Sequence, residues 1–145
     1  MKLAEFKNIG LDEIEIISLK LAEFVKPGFT IGLIGDLGAG KTCLVSDLCK
    51  KIKITSGISS PTFTLLNQYE TAETHLLINH FDMYRISTFE DLESIGYYDC
   101  INDINSFNII EWADKILKYL PKENLVLIKI TYSIDLEKRD YVFYS

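Results

Sequence analysis

One short segment places glycines, a lysine and a hydroxyl at a spacing that can bind phosphate: Gly35-Asp36-Leu37-Gly38-Ala39-Gly40-Lys41-Thr42. It matches the pattern Gly-x-x-x-x-Gly-Lys-Ser/Thr in full. Glycines let successive backbone N–H groups turn inward around phosphate oxygens, and the helix expected to follow adds its free N–H groups. Cys43, directly after the loop, is a further nucleotide-binding candidate. Lys41 would reach the β- and γ-phosphates as a point charge, and the Thr42 hydroxyl would ligate Mg²⁺. The segment therefore predicts a loop that binds ATP and Mg²⁺.

The context of this loop agrees with that interpretation. A pattern of this kind should occur by chance in about 0.5% of unrelated chains of this length. Here it follows the short apolar run 29–34, which is typical of a buried strand, and precedes residues 42–53, whose apolar side chains recur with helical period. A strand–loop–helix context is what the motif requires, so a glycine-rich turn with a stray lysine is a poor alternative.

Two further carboxylates stand where such a site needs them. Asp82 follows the apolar run 76–81, and Glu111 follows the apolar run 107–110. Both positions are predicted to lie at the carboxyl ends of strands, the edge where ligands of α/β proteins bind. One acid would hold the metal, and the other would position or deprotonate the attacking water. The assignment of Asp82 to the metal and Glu111 to the water could be reversed. Trp112 either packs in the core or contacts the nucleotide.

The elements that must position these residues alternate between strands and helices. Residues 11–26 predict an amphipathic helix, and Thr88 opens a capping box that predicts a short helix ended by Gly96. His80 is expected to be structural or a hydrogen-bonding neighbour. The other expected elements are a hairpin of strands at 62–69 and 74–81, a strand at 107–110, a helix at 113–120, and two final antiparallel strands at 125–132 and 140–144. The expected fold is α/β: a P-loop NTPase-like three-layer sandwich whose mostly parallel central sheet has antiparallel additions.

Composition limits the classes of function. At 145 residues the chain is expected to form a single domain, 1–145, and no apolar run approaches the roughly 20 residues of a membrane span. The N-terminus has no apolar core of a signal peptide, and the three cysteines suggest reduced thiols, so we expect a cytoplasmic protein. With a net charge of −6 and only two arginines, Arg85 and Arg139, unaided nucleic-acid binding is not expected. We expect Arg139 to lie away from the phosphate loop.

Four blocks in order resemble the bacterial TsaE (YjeE) family, an ATPase family required for threonylcarbamoyladenosine formation at position 37 of tRNA. The blocks are the phosphate loop, Ser60-Pro61-Thr62-Phe63-Thr64-Leu65, His80-Phe81-Asp82-Met83-Tyr84-Arg85, and Ile110-Glu111-Trp112. Cys43 departs from the family pattern, where a second Thr or Ser is common. The resemblance covers essentially the whole chain, and the second and third blocks together make it specific.

The resemblance implies a small ATPase that works in a complex with the proteins TsaB and TsaD, of which TsaD transfers the threonylcarbamoyl group. Contact with tRNA would be indirect, through that complex. The resemblance further implies that Lys41 and Thr42 hold phosphate and Mg²⁺, that Asp82 serves the metal, and that Glu111 is catalytic. Ser60, Pro61, Thr62 and Phe63 would form a switch-like loop near the γ-phosphate. Tyr84 and Arg85 are candidates for an ordering network or a partner interface.

Three alternatives compete with this interpretation. A P-loop small-molecule kinase would need several arginines to clamp two phosphorylated ligands, and the chain has two. A GTPase switch would need a guanine-reading Asn-Lys-x-Asp segment, which the sequence lacks. A nucleotide-binding interaction module without turnover of its own would differ from the favoured function mainly in its response to partner proteins.

Overall fold

A seven-stranded sheet organises the computed structural model of the chain, which describes residues 1–54 and 65–145. The strands are β1 (Lys2–Ile9), β2 (Thr30–Ile34), β3 (Leu66–Glu70), β4 (Leu77–Asp82), β5 (Ser106–Glu111), β6 (Leu125–Tyr132) and β7 (Arg139–Tyr144). Their order across the sheet is β1-β7-β6-β2-β5-β4-β3. The four central strands run parallel, and antiparallel pairs flank them at both edges. The expected mixed sheet is confirmed.

Helices cover both faces of the sheet. They are α1 (Ile14–Ala22), α2 (Lys41–Lys51), α3 (Phe89–Ser94) and α4 (Tyr97–Ile101), with 3₁₀ turns at Leu11–Glu13 and Ala113–Tyr119. On one face α1 and α2 pack over Ile31, Leu33 and Ile109. On the other face α3, α4 and the second 3₁₀ turn pack over Phe81 and Ile110. Successive residues of β5 thus serve opposite cores, as the period of two along a strand requires.

The capping box predicted at Thr88 and the helix end predicted at Gly96 are both confirmed. The Thr88 hydroxyl accepts a hydrogen bond from Asp91 N at 3.1 Å, and the Asp91 carboxylate accepts one from Thr88 N at 3.2 Å. Gly96 follows with φ of +77°, a conformation that suits glycine at a helix end. The hairpin of β3 and β4 is also present, and so is the antiparallel pair β6–β7.

One expected element differs from the structure, and two observed elements were not expected. The segment 113–120 was expected to be a regular helix, but it forms a 3₁₀ turn with a kink at Ile116. The chain adds a short helix, α4, where no helix was expected. It also begins with a strand, β1, that was not expected and that pairs with β7 at the edge of the sheet. The first residues of the expected strand 62–69 lie outside the described residues.

All three cysteines are free thiols, as expected. Within residues 1–54 and 65–145, no helix combines the length and the apolar character needed to cross a membrane.

Candidate functional site

The phosphate loop joins the carboxyl end of β2 to the first residue of α2. Gly38 and Gly40 adopt φ values of +81° and +97°, where a side chain would strain the backbone. Lys41 and Thr42 then occupy the first positions of α2. The free N–H groups at the start of this helix and its positive dipole end are therefore at the loop, as an anion-binding site requires.

Lys41 is buried beside Trp112 rather than exposed on the loop. Its Nζ donates hydrogen bonds to the carbonyl oxygens of Gly35 and Asp36, the latter at 2.9 Å. The same atom lies 4.0 Å from the centre of the Trp112 ring, a cation–π contact. Burial lowers the pKa of Lys41 below its ordinary value, and the nearby carboxylates, Glu111 foremost, partly oppose that shift.

The two candidate acids are neighbours across the parallel pair β4–β5. Asp82 and Glu111 occupy paired positions, and their exposed fractions are only 4% and 2%. Asp82 Oδ1 accepts a hydrogen bond from Tyr84 N at 2.9 Å. Glu111 Oε1 lies 3.4 Å from the Thr42 hydroxyl, which donates to it. The strand register therefore brings both carboxylates to the start of α2.

Glu111 also has a buried partner on β4. Its Oε2 lies 2.6 Å from His80 Nε2, and His80 is fully buried. His80 Nδ1 in turn lies 3.4 Å from the Tyr69 hydroxyl. His80 is thus the hydrogen-bonding neighbour that the sequence allowed. It fixes one oxygen of Glu111 and leaves the other beside Thr42.

A cleft of about 400 Å³ lies in front of these groups. It brings together predicted residues from the loop, from α2 and from the ends of β4 and β5: Leu37, Gly38, Gly40, Lys41, Thr42, Cys43, Asp82, Glu111 and Trp112. The remaining loop residues, Gly35, Asp36 and Ala39, are not among its lining residues. The backbone carbonyls of Gly35 and Asp36 contribute indirectly, because they accept hydrogen bonds from Lys41.

Trp112 lines the cleft, and its ring packs against that of Tyr84. Their ring centres are 4.8 Å apart, and Tyr84 is about half exposed at 48%. Trp112 has φ of +59°, a conformation that non-glycine residues rarely adopt. Arg85, next to Tyr84, is exposed. Ser60, Pro61, Thr62 and Phe63 lie outside the described residues.

The expectation that Arg139 lies away from the phosphate loop was wrong. Its Nη2 donates to the Gly38 carbonyl at 3.3 Å, and Nη1 donates to Leu136 O and Lys138 O. The guanidinium also lies over the Tyr132 ring, 4.1 Å from its centre. The contact joins positions 101 residues apart, so only the order of strands in the sheet creates it. No local sequence signal could have indicated it.

The side-chain oxygens of the site suit an Mg²⁺ ion that is bound together with a nucleotide better than a metal ion held by protein alone. Among the described residues, no group of three or more His, Cys, Asp or Glu side chains could hold a metal ion. Mg²⁺ in phosphate-transfer sites is bound by one or two protein oxygens, by waters and by the phosphates themselves. Thr42, Asp82 and Glu111 could supply such oxygens beside a loop that can bind phosphate.

Comparison with known proteins gives a consistent result. The profile of the family described as "Threonylcarbamoyl adenosine biosynthesis protein TsaE" matches residues 10–141. The chain is 32% identical over 128 residues to the tRNA threonylcarbamoyladenosine biosynthesis protein TsaE of Bacillus subtilis, covering 88% of this chain and 78% of that protein. It is 40% identical over 103 residues to the TsaE protein of Haemophilus influenzae, covering 71% of this chain and 63% of that protein.

The fold has a solved counterpart. The crystal structure of YdiB from Bacillus subtilis superimposes with a TM-score of 0.74 at 28% identity, covering 99% of this chain and 86% of that one. The likeness therefore extends over nearly the whole of this chain.

Proposed function

The chain belongs to the TsaE family, and we propose that it is the ATP-binding and ATP-hydrolysing subunit that supports threonylcarbamoyl transfer to adenosine 37 of tRNA. The names of its relatives point to tRNA threonylcarbamoyladenosine biosynthesis. The observation that carries the proposal is the convergence of Lys41, Thr42, Asp82 and Glu111 on one cleft.

Each of these residues has a role that its contacts support. Lys41 exchanges the carbonyls of Gly35 and Asp36 for the β- and γ-phosphates. The Thr42 hydroxyl and Asp82 would hold Mg²⁺, which would supply positive charge beside the phosphate oxygens. Because His80 fixes one oxygen of Glu111, the other can orient a water and accept its proton as the water oxygen bonds to the γ-phosphorus. The bond between that phosphorus and the bridging oxygen then breaks, and ADP leaves.

The proposal includes partner proteins. Efficient phosphoryl transfer usually needs positive charge at the γ-phosphate beyond a lysine and Mg²⁺, often from an arginine. Arg139 is bound to the carbonyl side of the loop, at Gly38, and Arg85 is exposed to solvent. A complex with TsaB and TsaD is the proposed source of whatever completes the site, and tRNA would be reached only through that complex.

Substitution of Glu111 tests the proposal most directly. Glu111→Gln keeps the side chain's size but replaces one accepting oxygen with a donating NH2 group, which removes the base. We expect it to bind Mg·ATP normally and to lower hydrolysis in the reconstituted complex by about 10²-fold or more. Calorimetry measures the binding, and phosphate release measures the turnover.

Two further variants make the result interpretable. Glu123→Gln is a matched control, because Glu123 is exposed before β6 and away from the cleft. Lys41→Ala should remove tight ATP binding altogether. Normal hydrolysis by Glu111→Gln would transfer the role of base to Asp82 or to a partner, and unchanged ATP affinity in Lys41→Ala would contradict the phosphate site itself.

A further inference from the structure

Polar side chains from three neighbouring strands form a row that leads to Glu111. Asn67 and Tyr69 belong to β3, His80 to β4 and Glu111 to β5. Asn67 pairs with His80 across β3–β4, and His80 pairs with Ile109 across β4–β5. Because side chains alternate along each strand, the four polar groups lie on the same face of the sheet.

The contacts at the end of this row are buried. The Tyr69 hydroxyl lies 3.4 Å from His80 Nδ1, and His80 Nε2 lies 2.6 Å from Glu111 Oε2. All three residues are buried, so water does not compete for these hydrogen bonds. A neutral imidazole that accepts a hydrogen bond at one nitrogen donates from the other, so the contact at Nδ1 decides what Nε2 does.

The contact between Asn67 and Tyr69 indicates the direction of these hydrogen bonds. Burial raises the pKa of Tyr69, and a side-chain hydrogen bond with Asn67 partly opposes that shift. A hydrogen bond lowers the pKa of a phenol when it is donated to the phenol oxygen, so the Asn67 amide is the donor. The Tyr69 oxygen thus accepts from Asn67, and its O–H is directed at His80 Nδ1.

We propose that Tyr69 is a positioning residue for ATP hydrolysis: its hydroxyl donates to His80 Nδ1 and so keeps the Nε2–H of His80 directed at Glu111. The inference rests on the proposed function, in which Glu111 orients the water. Removal of the Tyr69 hydroxyl takes this donor from Nδ1, so the proton of the imidazole can occupy either nitrogen. Glu111 then loses the hydrogen bond that holds one of its oxygens.

Tyr69→Phe tests the proposal, because it keeps the ring and removes only the hydroxyl. In the reconstituted complex we expect kcat for ATP hydrolysis to fall about tenfold, the usual scale for a residue that orients a catalytic ligand. KM and the Kd for Mg·ATP should not change, because Tyr69 is not among the described residues that line the cleft.

Tyr97→Phe is the matched control. Tyr97 is also buried, but its hydroxyl donates to Tyr119 O at 2.9 Å in the core on the opposite face of the sheet. This variant should lose stability, as any protein does that loses a buried hydrogen bond, yet keep the kcat of the wild-type protein. An equal loss of kcat in the two variants would overturn the positioning role.

A nuclear magnetic resonance measurement reads the hydrogen bonds without any activity. The chain has two histidines, His75 and His80, so selective labelling with ¹⁵N-histidine gives few signals. We expect the proton of His80 on Nε2 in the wild-type protein, and a shift of its Nδ1 signal in Tyr69→Phe that His75 does not share. A proton on Nδ1 alone in the wild-type protein would overturn the proposal.

The double variant Tyr69→Phe with Glu111→Gln separates this inference from the proposed function. If Tyr69 acts through Glu111, the double variant should be no slower than Glu111→Gln alone. A further tenfold loss would overturn the inference, and so would normal kcat in Tyr69→Phe beside a slow Glu111→Gln. Normal hydrolysis by Glu111→Gln would instead overturn the role of Glu111 in the proposed function.

Discussion

At the scale of single residues, Lys41 is the group whose environment most affects ligand binding. Burial lowers its pKa, because the charged ammonium loses hydration, while Glu111, Asp114, Asp82 and Asp36 favour the charged form. Bound phosphates would add several negative charges around the same atom. The pKa of Lys41 must therefore rise when ATP binds.

This difference predicts proton uptake on ATP binding at alkaline pH. Below the pKa of the free protein, Lys41 is charged in both states and no proton is exchanged. As the pH rises through that value, the free protein loses the proton that the complex retains, so affinity should fall and protons should be taken up. Calorimetry in buffers of different ionisation enthalpy, at alkaline pH below the ordinary lysine pKa of about 10.4, measures the uptake.

Lys41→Arg provides the control, because a guanidinium stays protonated throughout this range. Its ATP affinity is expected to be lower, since the geometry differs, but without proton uptake. Uptake that is equal in the variant and the wild-type protein would assign the proton to another group.

The three cysteines predict a selective labelling pattern. Burial raises the pKa of Cys49 to about 12, and burial together with Asp99 and Asp103 raises the pKa of Cys100. Cys43 is exposed and lines the cleft at the loop. Because the thiolate is the reactive form, N-ethylmaleimide should label Cys43 first and Cys49 last.

Mg·ATP should slow the labelling of Cys43 about tenfold or more at saturation, because the nucleotide covers it. Peptide mapping by mass spectrometry measures each site separately, and Cys100 serves as the internal control. A Cys43 rate unaffected by Mg·ATP would place the nucleotide elsewhere.

Local pattern made part of the site predictable. The glycine spacing identified the loop, and the acids after two apolar runs identified Asp82 and Glu111, because the carboxyl ends of parallel strands share one edge. Arg139 was missed for a physical reason. Its contact with Gly38 depends on where β7 lies relative to β2, which no local period encodes.

At the scale of elements, the sequence predicted the buried strands and missed the exposed strand β1. Nearly every residue of the strands β2, β4 and β5 is buried, so each strand is recognisable in the sequence as an apolar run. In β1, by contrast, most residues are exposed, and two irregularities in register interrupt its pairing with β7. An edge strand of this kind loses the alternation that would reveal it. The short helix α4 has only five residues, too few for a helical period to be recognised.

The capping box of α3 predicts a measurable contribution to stability. Thr88→Ala removes the acceptor for Asp91 N, so the free energy of unfolding should fall by about 1 kcal/mol. Thr88→Ser retains the hydroxyl and should restore most of the loss. Urea denaturation measures both variants. Equal stability of Thr88→Ala and the wild-type protein would show that α3 is held by Leu92 and its core contacts alone.

At the scale of the whole molecule, the protein combines a net charge of −6 with two arginines. Within residues 1–54 and 65–145, neither Arg85 nor Arg139 lines the cleft that holds Asp82 and Glu111. An acidic molecule is also repelled by the phosphates of RNA. A protein is therefore the expected activator.

We expect slow ATP turnover by the isolated protein, stimulation by its cognate TsaB and TsaD together, and no stimulation by tRNA alone. Arginines supplied by a partner typically increase turnover by about 10³-fold or more in related chemistry. Steady-state phosphate release measures all three conditions. Lys41→Ala, added to the same partners, shows whether the stimulated activity belongs to this chain. Rapid turnover without partners, or stimulation by tRNA but not by the protein pair, would contradict the proposal.

The order of strands also determines when the site can form during synthesis. The strand that carries the phosphate loop, β2, lies between β5 and β6, and β1 pairs with β7 at the other end of the chain. On the ribosome, β2 and its loop emerge early, but their neighbours follow only from Ser106 onward. Until then the edges of β2 are unpaired, a state that favours aggregation. Nucleotide affinity should therefore arise late in translation, when the second half of the chain has left the exit tunnel.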